Sequence, residues 1–510
     1  MKKIVCGFVV SSAIAGIASG AYIPEPNPVR SEIEISAYYY PGTEHMPEWD
    51  MVRQTLPHVR PLLGWYDEGD PENIDWQIKW AVEHGISSFC VDWYWDRGAQ
   101  RLDHWVKGFY KARFRKYLKW YVMYANHNAP GAHSTADQVA VSRWWIDHYF
   151  KTPEYYKIDG KPVVLYFSPD RVDRDFIAEA SRGGETLMPG EGLRRALSIT
   201  ERMACEAGFP GVHWMVAAGD LKIPLETASL WQKAGIRNVV PYTYGGGLLY
   251  DISPEARQPG DTRKRLSFEL MMAGAEKFWA NNVDLGPGID YVPLLPTGWD
   301  DRPRSFQRAD VTTGRTPEKF RKVCESARTF CRKHGIRRVM LSPVNEWQEG
   351  SYIEPNDEYG FGMYDALRDA FCMKPREGWP KNLTPGDVGR PLREYPPMSL
   401  SRVQSWSFDG GTEGWYRQPY GCPVVLCRNG TLAFITTRED NFNIRQRIES
   451  FDAEKYRTFR LRMRLLQVPG ADPIPPGAAR MRLKWGTTDR PVIDEAISVD
   501  ASRSVASCEV

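Results

Sequence analysis

Glu346 and Glu349 stand three residues apart in the run Asn345-Glu346-Trp347-Gln348-Glu349-Gly350. On a helical turn that spacing makes their side chains neighbours, about 5–6 Å apart between Cβ atoms. Two carboxyls at such range oppose each other's ionisation, which helps keep one protonated near neutral pH. An acid beside a carboxylate suits glycosidic chemistry. The leaving oxygen needs a proton donor, and the other side of the reaction needs a base or nucleophile. The same spacing occurs on any solvated helix face, so the pair gains meaning only from its surroundings. Asn345 and Trp347 flank it directly, and other short clusters carry similar chemistry: Tyr38-Tyr39-Tyr40, Asp92-Trp93-Tyr94-Trp95, Asn126-His127-Asn128, Tyr242-Thr243-Tyr244 and Thr297-Gly298-Trp299-Asp300-Asp301. No Ser-His-Asp pattern, metal triad or cofactor motif accompanies them, so no cofactor or metal is called for. Glu354, Asp357 and Glu358 are read as a solvated acidic loop in preference to a cation site.

These clusters need elements to hold them, and the chain supplies short apolar runs alternating with amphipathic segments. Eight runs read as strands: Glu34–Tyr39, Ser87–Trp93, Lys119–Tyr124, Pro162–Phe167, Val212–Val216, Asn238–Tyr242, Tyr291–Leu295 and Arg338–Ser342. Between them, Asp70 is placed to cap a helix that begins at Pro71, carries Ile74, Ile78, Ala81 and Val82 on one face, and stops at Gly85. Thr316 and Pro317 begin a second, whose apolar face runs from Phe320 to Cys331 and which Gly335 ends. Eight strands alternating with helices predict a (β/α)8 TIM barrel over residues 21–373. An open doubly wound sheet is the alternative, though no Gly-rich phosphate loop follows the first strand. In a barrel, reactive groups gather just past the C-terminal ends of strands, and the clusters above lie there. On that basis Tyr39, Tyr40, Asp92, Trp93, Trp95, Asn126, His127, Tyr242, Tyr244, Trp299, Asn345 and Trp347 are candidate substrate-binding residues around Glu346 and Glu349. Of Trp93 and Trp95, one is expected to face the core and the other a sugar.

The run Asn345–Gly350, followed by Ile353-Glu354-Pro355, resembles the signature of the endo-α-mannosidases and endo-α-mannanases of glycoside hydrolase family 99. It is still closer to the related WbsX-like family, often labelled a polysaccharide-biosynthesis glycosyltransferase. Ala37-Tyr-Tyr-Tyr-Pro41, Gly64-Trp65-Tyr66-Asp67, Phe89-Cys-Val-Asp-Trp-Tyr-Trp95 and Tyr359-Gly360 resemble the same family's other landmarks, so the likeness spans about residues 34 to 372. The resemblance implies a retaining hydrolysis with no enzyme nucleophile. Glu346 would deprotonate the sugar's 2-hydroxyl, which attacks the anomeric carbon to give a 1,2-anhydro sugar, and Glu349 would be general acid, then base for water. Gln348 stands where family 99 often has histidine, and Ser351-Tyr352 replaces its Thr-Gln, which bears on mannose specificity more than on bond cleavage. The WbsX label gives the competing reading, a sugar-nucleotide-dependent glycosyltransferase. A non-catalytic glycan-binding protein is the third.

The rest of the chain bears on where such a protein works. Lys2 and Lys3 precede an apolar run from Ile4 to Ile17, and Ala18-Ser19-Gly20 follows, which reads as a signal peptide over residues 1–20 with cleavage before Ala21. A secreted or periplasmic protein is expected, and no later segment is apolar enough to span a membrane. Of the cysteines then remaining, Cys324 and Cys331 lie on one helix about 10 Å apart, beyond the roughly 7 Å reach of a disulfide. With 66 Lys+Arg against 64 Asp+Glu the formal charge is +2, so no single-sign field exists to recruit nucleic acid. The expected partner is a polysaccharide or glycan, and the 19 Trp and 25 Tyr suit stacking on sugar faces as well as a large core. Residues 374–402, rich in Pro, Gly and charge, read as a linker. Residues 403–510 read as a β-sandwich, a jelly-roll module of carbohydrate-binding type that is incomplete as it stands. Its opening strand is expected in the run Trp406 to Trp415.

Overall fold

The computed structural model describes residues 22–42, 48–128, 130–244, 265–305, 309–390 and 392–395, together with eight short strands between Tyr416 and Glu509. The expected signal peptide lies outside these residues. Eight parallel strands form the centre: β1 (Glu34–Tyr39), β2 (Ile86–Asp96), β3 (Lys119–Tyr124), β4 (Lys161–Tyr166), β5 (His213–Ala217), β6 (Ile236–Val240), β7 (Asp290–Tyr291 continuing as Leu294–Leu295) and β8 (Arg338–Leu341). They pair in chain order from β1 to β6, and β1 also pairs with β8. β7 joins the two ends. Its first half pairs with β6 and its second with β8, with Val292 N–H donating to Val239 O at 2.9 Å and Pro293 O accepting from Met340 N–H at 2.9 Å. Pro293 has no N–H to give the ladder, which accounts for the break in the middle of β7. The result is a TIM-like (β/α) barrel.

The helices form where local chemistry favours them. The Asp70 carboxylate accepts from Glu72 N–H at the start of helix Pro71–Glu83, and Thr316 caps helix Pro317–His334 through Lys319 N–H. Both helices have proline in the first turn, where the missing N–H costs nothing. Gly335 closes the second in the left-handed conformation. Cys324 and Cys331 are both free thiols buried on this helix. The core between strands and helices is strongly aromatic, with Trp76, Trp80, Trp93, Trp105, Trp120, Trp145 and Trp279 almost wholly buried. Most of the chain's tryptophan that is buried here serves packing, each ring removing a large apolar area from water.

Part of the stretch read as a linker lies along the barrel. Trp80 Nε1 donates to Leu383 O at 2.8 Å, Asn382 binds Asp365, and Tyr395 N–H donates to Trp65 O at 2.6 Å. Farther on, the described strands pair antiparallel: Tyr416–Arg417 with Ile444–Arg445, Val424–Arg428 with Thr431–Ile435, Thr458–Arg462 with Val505–Glu509, and Arg480–Trp485 with Glu495–Asp500. How these pairs pack, and with it the expected β-sandwich, lies outside the described residues, as does the run Trp406 to Trp415.

Candidate active site

After β8 the chain forms a two-residue strand, Asn345–Glu346, a single 3-10 turn, Trp347–Glu349, and a return strand, Ser351–Tyr352. Gly350 makes the reversal possible. Its φ is +61°, and a Cβ there would lie 2.5 Å from Asp300 N. Asp300 N–H in turn donates to Glu349 O at 2.6 Å, so the loop after β7 grips this turn backbone to backbone. Asn345 ties the other side, exchanging two hydrogen bonds with the backbone of Tyr40, at 2.9 and 2.6 Å. Asn345 therefore braces the turn.

Glu346 and Glu349 meet past the end of β8, close enough for each carboxyl to shift the other's ionisation. Burial, then the neighbouring Glu346 charge, raises Glu349 to about 8. Burial also raises Glu346, although Arg304 and Tyr242 pull it back down. Arg304 is the cation of the site. Its guanidinium contacts the Glu349 carboxyl, lies 3.4 Å from Glu346 Oε1, and through Nε donates to Gln348 Oε1 at 3.0 Å. Gln348, which departs from the family 99 pattern, thus orients this arginine. Just past β6 the Tyr242 hydroxyl reaches both Glu346 Oε2, at 2.7 Å, and Asp92 Oδ2, at 2.9 Å. Asp92, from β2, is 4% exposed and its carboxyl is pushed well upward by burial and by Glu346. Three carboxyls, one phenol and one guanidinium thus converge from four separate loops and strands.

The remaining candidates are arranged by strand alternation, since successive side chains point to opposite faces. Trp93 and Trp95 share a face and stack on each other at 5.7 Å, where one core ring and one sugar-facing ring were expected. Both point to the helix layer, Trp93 donating to Tyr149 OH at 3.1 Å and Trp95 to Asp137 Oδ1 at 3.0 Å. The inward face of β2 carries Asp92. On β1 the same parity takes Tyr39 outward, where it donates to Gln77 Oε1 at 2.9 Å. Tyr38, which was not singled out, is the residue packed against Tyr242, at 4.7 Å. Asn126 is a clamp between loops, accepting from Ser168 N–H at 2.7 Å and donating to Ser168 O at 2.8 Å. Tyr244 is buried, donating to Leu294 O at 3.2 Å and accepting from Trp279 Nε1. Trp299 is partly buried against the core. His127 is exposed, edge-on to Tyr94 at 5.9 Å and to Phe167 at 5.5 Å.

Glu354 departs from the solvated acidic loop expected for it. It is 2% exposed, accepting from Tyr66 OH at 2.6 Å, Gln77 Nε2 at 2.8 Å and Trp347 Nε1 at 3.2 Å, and burial raises it to about 7. It anchors Trp347, which stacks on Tyr352 at 4.3 Å behind the Glu346–Glu349 turn. Asp357 and Glu358 are exposed, as expected of such a loop. Arg304 is the functional residue that sequence reasoning missed. Its only signal was an arginine shortly after Trp299-Asp300-Asp301, in a segment without periodicity. A cavity of about 350 Å³ opens past β4 and β5, lined by Phe167, Asp170, Arg171, Gly219, Asp220 and Trp231. Phe167 links it to the site, packing edge-on against Tyr242 at 5.6 Å.

The sequence pattern of the family described as glycosyltransferase WbsX matches residues 48–181 and 195–367, which includes the whole turn from Asn345 to Tyr352. Two curated relatives, each described as uncharacterized protein WxcX and coming from two strains of Xanthomonas campestris pv. campestris, are 23% identical over 388 residues. The match takes in 69% of this chain and 49% of theirs, so the chain spans about half the length of the curated relatives it matches. Among solved structures, a glycoside hydrolase-like protein is similar at 15% identity and a TM-score of 0.47, over 69% of this chain and 98% of that one. The glycoside hydrolase family 99 endo-α-mannosidase of Bacteroides thetaiotaomicron is similar at 16% identity and a TM-score of 0.41, over 66% and 95% respectively.

Proposed function

This chain belongs to the WbsX family, and from that premise we propose that it cleaves glycosidic bonds in a complex polysaccharide or glycan instead of making them. The observation that carries the proposal is the pairing of Glu346 with Glu349 under Arg304. One carboxyl is pushed up to about 8 by burial and by its neighbour's charge, beside another whose burial-driven rise a guanidinium and a phenol oppose. That is an acid and a base side by side, the pair that glycosidic cleavage uses. Arg304, the cation nearest the carboxyls, is engaged by Glu346, Glu349 and Gln348, which leaves it poorly placed to take a sugar-nucleotide diphosphate.

The two carboxyls share one turn and lie close enough for each to shift the other's ionisation. A substrate hydroxyl fits such a pair better than an anomeric carbon does, and this favours the mechanism that the family 99 resemblance implies. Glu346 takes the proton of the sugar 2-hydroxyl as that oxygen bonds to C1, while Glu349 gives its proton to the departing glycosidic oxygen. Glu349, now a carboxylate, takes a proton from water as the water oxygen attacks C1. The C1–O2 bond breaks, and Glu346 returns its proton to O2. The configuration at C1 is retained, and both carboxyls end as they began. Gln348 Nε2, buried and without a protein partner among the described residues, offers a donor to a sugar hydroxyl. The cavity past β4 and β5, with the Trp231 ring in its wall, suits neighbouring sugar units of a longer chain. An α-linked mannose-like sugar, an exported protein, and a second module over residues 403–510 complete the proposal.

The test is a panel of polysaccharides incubated with purified protein in the absence of any nucleotide sugar, with release of reducing ends as the readout. Glu346→Gln and Glu349→Gln should each lower turnover by about 10²–10⁴ while sparing substrate binding. Activity that appears only with a sugar-nucleotide donor would point to the transferase, and full hydrolysis by either variant would remove these residues from the mechanism.

A further inference from the structure

The Tyr242 hydroxyl contacts two carboxyl oxygens, Glu346 Oε2 at 2.7 Å and Asp92 Oδ2 at 2.9 Å, yet a phenol carries a single hydrogen. It can donate to only one of them. The other contact is a hydrogen bond only if that carboxyl is itself protonated and donates to the phenol oxygen. From this geometry we infer that Asp92 is the protonated partner, a neutral carboxylic acid whose hydrogen bond to Tyr242 directs the phenol proton onto Glu346 and so preserves Glu346 as the base.

Two further observations assign the proton to Asp92 and not to Glu346. Asp92 Oδ1 is buried with no hydrogen-bond partner among the described residues. A carbonyl oxygen of a neutral acid tolerates that far better than an oxygen of a carboxylate. Arg304, the cation at the site, lies against Glu346 and Glu349, where it favours charge on those groups. The groups facing Asp92 from each packed element are Glu346 and Glu349 on the catalytic turn, Arg304 on the segment after β7, Tyr242 after β6, Tyr38 on β1, and Cys90 on its own strand. One positive charge among three carboxyls balances when Asp92 and Glu349 are neutral and Glu346 is ionised. Burial and the Glu346 charge push the Asp92 carboxyl well upward, in agreement.

Asp92 is therefore a positioning residue acting through Tyr242. The chain Asp92–Tyr242–Glu346 has two proton arrangements that conserve all its hydrogens. In one, Asp92 holds a proton and Glu346 is the base. In the other, Asp92 passes its proton to the phenol oxygen as the phenol passes its own to Glu346, leaving Asp92 ionised and Glu346 inactive as a base. Arg304 biases the chain toward the first. The catalytic meaning of this rests on the hydrolase reading, but the protonation state does not, and it is measurable without turnover.

The experiment is difference infrared spectroscopy of the full chain, labelled with ¹³C only in its aspartates, at about pH 7. A label-shifted C=O stretch of a protonated carboxylic acid is expected. It should vanish in Asp92→Asn, persist in Glu349→Gln, and move to higher wavenumber in Tyr242→Phe as its hydrogen bond is lost. If Asp92→Asn does not fold, the aspartate-specific band of the native protein and its response to Tyr242→Phe carry the test. Absence of the band, its survival in Asp92→Asn, or indifference to Tyr242→Phe overturns the assignment. In a turnover assay, removing a neutral group leaves the acid limb of kcat/KM in place for whatever activity Asp92→Asn retains. A downward shift of that limb would show that Asp92 had been charged. A protein with the infrared band but no hydrolysis would overturn the proposed function alone.

Discussion

Replacing Arg304 by methionine removes the only guanidinium in contact with Glu346 and Glu349 among the described residues, while keeping most of the apolar stem. At 3.4 Å, the longer of its two carboxyl contacts, Coulomb's law gives roughly 5 kcal/mol at an effective dielectric of about 20 and about 1.2 kcal/mol in bulk water. The Arg304 side chain is 32% exposed, so the lower part of that range applies. With about 1.4 kcal/mol per pKa unit, removal should raise the Glu349 carboxyl by at least about one unit. The sign follows from charge: without the cation the ionised form is disfavoured, so the proton stays to higher pH. Glu349 starts at about 8, and its titration should move to about 9 or beyond. Because its folded value lies above its ordinary one, the stability it contributes is fully present below about pH 4.5 and disappears as pH rises through its folded value. In Arg304→Met that loss should extend to higher pH. Carboxyl-carbon NMR titration of the glutamates reads the shift directly, and the alkaline limb of kcat/KM on a hydrolysed polysaccharide reads it as activity. A limb that stays put or moves to lower pH would refute the assignment of Glu349 as the acid held under Arg304.

Gly350→Ala places a Cβ 2.5 Å from Asp300 N at a φ of +61°, so the turn and the loop after β7 must separate. We expect a loss of about 1–3 kcal/mol in stability and at least tenfold in kcat. Unchanged kinetics would show that the turn tolerates displacement. Glu354→Leu strands three buried donors, on Tyr66, Gln77 and Trp347, and should lower the denaturant-derived stability by roughly 3 kcal/mol or more, with Glu354→Gln recovering part of it. Equal losses in the two variants would argue against this donor account. Asn126→Ala cuts both bonds to the Ser168 backbone and should cost about 2 kcal/mol, with faster amide exchange at Ser168 as the local readout. Protection at Ser168 equal to the native protein's would count against the clamp.

The barrel was legible because it is written in local terms. Apolar runs of strand length, proline in first helical turns, and Asp70, Thr316 and Gly335 at helix ends depend on neighbours in sequence, and each recurs in the structure. Bounds erred where tertiary pairing overrules propensity, as in β7, where Pro293 splits one run into two pieces that bond to opposite neighbours. The direction of side chains was less legible than the strands themselves. Trp93 and Trp95 share parity and must share a face, but which face meets the mouth follows from how the sheet closes. The same holds for Tyr38 against Tyr39.

What the sequence determined by itself was the carboxyl pair, since Glu346 and Glu349 are three residues apart and any compact turn brings them together. The groups that act differently on the two carboxyls come from elsewhere in the chain. Arg304 lies 45 residues before Glu349, Tyr242 104 before Glu346, and Asp92 150 before Tyr242. No periodicity links positions so far apart. Only closure of the barrel sets one guanidinium and one phenol among three buried carboxyls. In that desolvated space, on the reading proposed above, a single positive charge and a single phenolic hydrogen decide which carboxyl serves as acid, which as base and which stays neutral.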